Sequence, residues 1–111
     1  MLPMRKSTCS TSIAHCFARR VIPVIWNTQG DAPTLAQASS VFVQGCELTD
    51  LAGILDWLKG GPLQRLPVFV HVDLLAGLSS DEAGLRYLAT FEKIHGVITV
   101  RSHIVAAARR A

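Results

Sequence analysis

From residue 21 onward, short β-branched runs alternate with stretches that carry helix start and stop signals. VIPVIW (21–26) is strand-like in composition. NTQGD then turns the chain, and Asp31 followed by Pro33 reads as an N-cap and a first-turn proline, opening a short helix over 33–38. SVFV (40–43) is the second strand, broken at Gly45. The clearest helix spans 47–59, where Leu48, Leu51, Leu55 and Leu58 recur at three- and four-residue steps and form one apolar stripe. Glu47 and Asp50 lie at its positive end and Lys59 at its negative end. Gly60, Gly61 and Pro62 stop it. PVFVHVD (67–73) is the third strand. Ser79 with Glu82 three residues on reads as a capping box, which predicts a helix from about 80 to 91 with Leu85 and Leu88 facing inward. GVITV (96–100) is the fourth strand, and HIVAAARR (103–110) a short last helix.

Alternation with short connections means parallel strands joined by right-handed crossovers. Strands that are apolar on both faces agree, because a parallel sheet is covered on both sides. The expected fold is therefore α/β, with about four parallel (β/α) units in one domain over residues 21–111. No GxxxxGKS/T and no GxGxxG follows the first strand, so nucleotide-cradling versions of the architecture lose support.

Of 111 residues, half are hydrophobic and 17% are charged, a globular composition. The formal charge of +3 is unevenly spread. Residues 1–20 hold Arg5, Lys6, Arg19 and Arg20 and no acid, while the other 91 hold seven basic and eight acidic residues. The folded part has no strong footprint for a phosphate backbone. Residues 1–20 are Ser/Thr-rich and basic like a transit peptide, but read better as a disordered extension or as the product of an upstream start. No apolar run approaches the ~20 residues of a membrane helix. Three cysteines without a secretory signal suggest reduced thiols in a cytoplasm. Cys9, His15 and Cys16 match no zinc spacing, and no metal is expected.

Side chains alternate along a strand, so Phe69, His71 and Asp73 are expected on one face, with the polar pair at its C-terminal end. In parallel α/β folds ligands bind at that mouth. One reading makes His71 and Asp73 part of a pocket. The other makes Asp73 a cap for loop N–H groups, with His71 bonded to it or to a neighbouring strand. Arg101, at the end of the fourth strand, suits an anion, or else pairs with an acid on the surface.

VFVHVDLLAGLSSDEAGLRYL and, further on, GVITVRSHIVAAAR together resemble the glycerol uptake operon antiterminator family. VIPVIWN and VFVQGCELTDLAGIL extend the likeness, which covers roughly residues 20 to 110. His71, Asp73, Gly77, Asp81, Glu82, Arg101 and Ser102 match the family pattern. The resemblance implies half of a TIM-type barrel and a regulator that responds to glycerol 3-phosphate. Such a regulator binds leader mRNA of glycerol-catabolic genes and is not an enzyme. It implies no cofactor, and ligand contacts from His71, Asp73, Arg101, Ser102 and Asn27. Trp26 stands where the family carries a basic residue, Cys46 follows Gly45 where Gly-Asp is usual, and His103 replaces an asparagine. The chain also holds about half the family's units, so a truncated product, a homodimer or a second half-barrel chain are the expectations. Two other readings stay open: a small (β/α) enzyme fragment with His71 and Asp73 as an acid–base pair, and an interaction module without a ligand.

Overall fold

The computed structural model describes Leu2–Pro3, residues 22–79, residues 81–101, and Val105, Ala108 and Arg109. Its strands are β1 (Leu2–Pro3), β2 (Val24–Ile25), β3 (Val41–Val43), β4 (Val68–His71) and β5 (Ile94–Ile98). Between them lie α1 (Ala32–Leu35), α2 (Leu48–Leu58) and α3 (Glu82–Ala89), with 3-10 turns at Gly61–Leu63 and Val72–Leu74. The sheet order is β1-β5-β4-β3-β2. β2 to β5 are parallel and each neighbours the next in sequence, the succession of a (β/α) barrel left open. β1 runs antiparallel to β5 on its outer edge, pairing Leu2 with Val97 and Pro3 with Gly96.

The core lies between the sheet and its helices. Val41, Val43, Val68, Val70, Ile94 and Val97 meet Leu51, Ile54, Leu55, Leu58, Leu85 and Leu88, all buried. Each fully buried leucine removed from water contributes roughly 2 kcal/mol. The predicted stripe of α2 is present, with Ile54 added to it and Leu48 at its half-buried margin. On the other face Phe42 and Phe69 meet edge-to-face at 5.9 Å, and Phe69 meets His95 at 5.2 Å.

Several boundaries depart from the sequence reading. α1 covers Ala32–Leu35 and ends early, because the chain tightens into i→i+3 turns closed by Gln37 and Ala38 N–H groups. Asp31 caps no backbone group there; its carboxylate accepts from the Thr34 hydroxyl. The cap of α3 is Asp81, not Ser79: its carboxylate accepts from the Gly84 N–H at 2.9 Å. Gly84 is needed at that place, since a Cβ there would sit 2.1 Å from the Ser79 carbonyl oxygen.

β5 begins at Ile94, two residues before the expected start, because the register shifts between Val68 and Phe69. Val68 pairs with Ile94 and Phe69 with Gly96, which leaves His95 as the extra residue of a bulge. The shift puts Ile94 and Val97, three apart, on the same core face. β5 also ends at Ile98, so Thr99 to Arg101 form its exit. Most of the last predicted helix lies outside the described residues, but Val105, Ala108 and Arg109 are helical and the Val105 N–H donates to the Arg101 carbonyl at 3.2 Å.

Candidate functional site

β4 stops at His71, and the next three residues turn into a 3-10 helix. Strict alternation therefore fails between His71 and Asp73, and the pair does not stand on one strand face as the sequence suggests. Beyond the strands, the exits of β3 and β4 zip together. The Gly45 N–H donates to the Leu74 carbonyl, the Ala76 N–H to the Cys46 carbonyl, and the Leu48 N–H to the Ala76 carbonyl at 2.7 Å. Gly77 has φ +91°, the left-handed conformation that glycine adopts without strain, and a Cβ there would already touch Leu48 at 3.4 Å. Cys46 is 5% exposed in this zipped region, and burial, the leading cause, pushes its thiol up. The Cys46 thiol is a packing group.

The 3-10 turn aims Asp73 at the exit of β5. Its carboxylate accepts from the Thr99 hydroxyl, which lies 3.0 Å from both oxygens, and from the Val100 N–H at 3.0 Å. The Arg101 Nε lies 3.5 Å away in an ion pair. Thr99 also accepts from the Arg101 N–H at 3.1 Å, which fixes the backbone that carries the guanidinium. The Asp73 side chain is 9% exposed and that of Arg101 49%. Burial pushes the Asp73 carboxyl up, but the Val100 and Thr99 donors and the charges of Arg101 and His71 outweigh it and hold it below its usual value.

Three of the five predicted ligand residues thus gather at the mouth of β4 and β5: His71, Asp73 and Arg101. Ser102 lies outside the described residues. Asn27 follows β2, two strands from β4, and its Oδ1 accepts from the Gln29 N–H at 2.9 Å in its own turn. The sequence reading did not single out Thr99, which ties the cluster together. Its signal was a hydroxyl two residues before the arginine, on the strand next to the aspartate. Asp73 caps one backbone N–H, that of Val100, on the neighbouring strand's exit and not in its own loop.

His71 is half-buried, and its Nδ1 is enclosed with no hydrogen-bond partner among the described residues. The Asp73 hydrogen bonds go to Thr99 and Val100, so Asp73 does not orient His71 as a triad acid orients a base. What the arrangement offers is a half-exposed guanidinium on a fixed backbone, with the half-buried His71 imidazole in the same cluster. That is a donor set for a small anion with hydroxyl groups.

No curated protein and no solved structure matches the chain. The family described as glycerol-3-phosphate responsive antiterminator matches residues 21–111, a span that takes in every strand from β2 to β5 and the whole Asp73 cluster. The chain belongs to the glycerol-3-phosphate responsive antiterminator family.

Proposed function

We propose that this chain is a cytoplasmic transcription antiterminator that senses glycerol 3-phosphate, binds the leader mRNA of glycerol-catabolic genes and performs no catalysis. The observation that carries the effector site is the Arg101 guanidinium, held at the strand mouth by Asp73 and still half-exposed. The effector's phosphate takes Arg101, whose fork of donors matches phosphate oxygens. The His71 imidazole and Ser102 hydrogen-bond its hydroxyls, and Asn27 contributes from the β2 side. Asp73 is a positioning residue: it fixes Arg101 and Thr99.

Thermal unfolding with glycerol 3-phosphate tests this, with glycerol and inorganic phosphate as controls. Effector at a hundred times its Kd adds about 2.7 kcal/mol, a rise in Tm of roughly ten degrees or more for a domain of this size. Arg101→Ala removes the rise and leaves the unliganded Tm within a few degrees. A cooperative transition that ignores glycerol 3-phosphate sinks the effector site. Transcription through a glycerol-operon leader, with and without the protein, tests the RNA arm separately.

A further inference from the structure

A second opening shares only Asn27 with the effector residues proposed above. Trp26, Asn27 and Thr28 leave β2 and face Thr49, Asp50 and Gly53 of α2 around a groove of about 400 Å³. That is within the size range of small-ligand sites. Thr49, Asp50 and Gly53 lie on one side of the helix by their three- and four-residue spacing, with the buried Ile54 closing the floor.

Two features give the groove its chemistry. The Trp26 indole is 59% exposed at its rim. A lone exposed aromatic is ordinary, but this one stands opposite a glycine inside a helix. A mid-helix glycine costs about 1 kcal/mol against alanine. No contact demands it here, since a Cβ at Gly53 would meet nothing within 4 Å. What Gly53 preserves is the open space beside the indole.

The polar lining is also specific. Asp50 offers a carboxylate, an acceptor for two adjacent N–H groups. Asn27 uses its oxygen on Gln29, which leaves its two amide donors for a ligand. A flat ring presenting two adjacent donors beside an acceptor satisfies both, and guanine's N1–H, N2–H and O6 edge is that pattern. Adenine, cytosine and uracil each lack the paired donors. The Asp50 charge repels phosphate, so a base enters the groove while its backbone stays outside.

We propose that the groove between Trp26 and Gly53 is a stacking site for one guanine base of single-stranded RNA, with Asp50 reading its Watson–Crick edge. This rests on the RNA-binding reading above and assigns it a place. Aromatic–base stacking is a common device of single-strand recognition.

The test uses the full chain and fluorescence anisotropy of a labelled uridine-rich RNA nonamer with G, A, C or U at its centre. GMP serves as the free-base arm, read by competition and by quenching of indole emission. Wild type favours the G oligomer about five-fold or more over the others. Trp26→Ala and Gly53→Leu each weaken it about five-fold or more. A Cβ at position 53 meets nothing within 4 Å, and circular dichroism checks that Gly53→Leu still folds. Asp50→Asn removes the preference for G. If the G oligomer binds both groove variants as tightly as wild type, the site is wrong, while RNA binding through another surface stands. If RNA does not bind but GMP does, in a manner that depends on Trp26, the groove is a free-nucleotide site, and the RNA-binding reading falls with this assignment. Binding of neither overturns the site.

Discussion

At the scale of single residues, Asp73 holds the most structure together. It joins the exit of β4 to that of β5 through Thr99, Val100 and Arg101. Its folded pKa lies below the unfolded value of about 3.9. The ionised carboxylate therefore contributes stability that is present above that unfolded value and is lost as pH falls through the lower folded one. Acid unfolding of Asp73→Asn follows a flatter curve over that window than wild type, and the two are compared by circular dichroism between pH 6 and 2. A curve for the variant parallel to wild type means that other carboxylates carry the acid response. Position alone made His71, Asp73 and Arg101 legible in the sequence, because polar residues at strand ends are few in so apolar a chain. Thr99 was not legible. It reads as one more β-branched strand residue until the end of β5 is known.

At the scale of elements, α2 was readable almost to the residue because a leucine stripe, acidic start and glycine stop all agree. α3 was readable in its buried face but not at its start. Ser79 and Asp81 are both good caps by composition, and only the hydrogen bond from Gly84 decides between them. Asp81→Ala thus costs about 0.5–2 kcal/mol, whereas Ser79→Ala is close to neutral. Urea titration of the two variants checks the order; a reversed order restores Ser79 as the cap. β5 was misplaced for a different reason. A bulge breaks the two-residue period, so the alternation of Ile94, His95, Gly96 and Val97 carries no readable phase.

At the scale of the whole molecule, the parallel succession of four strands followed from the sequence pattern, and the family match covers the same span. The long-range ties did not follow. Lys93 is one: its Nζ donates to the Leu63 and Gln64 carbonyls, some thirty residues away, at 3.2 and 2.8 Å. Burial, with the Lys59 charge adding to it, pushes the Lys93 amine down to about 8. The unfolded chain therefore binds more protons between about 8 and the usual lysine value of about 10.4, and stability rises with pH across that interval. Chemical denaturation at pH 7.5, 9 and 10.5 shows the rise in wild type and not in Lys93→Met. A rise that persists in Lys93→Met assigns it elsewhere.

Among the described residues the sheet has two borders, β1 and β2, and a proline stands at each. Pro3 is in β1 beside β5, and Pro23 precedes β2, where its carbonyl accepts from the Phe42 N–H at 2.9 Å. A residue's N–H and C=O point to the same side of its strand, so the donor missing at Pro23 faces β3, and the outer margin of β2 keeps its own at Val24. An open sheet is a template on which identical molecules can add side by side without end. Among the described residues the β2 margin, where Val24 turns its backbone groups away from β3, is such a template. The unclosed sheet thus keeps one margin on which a further strand can be laid.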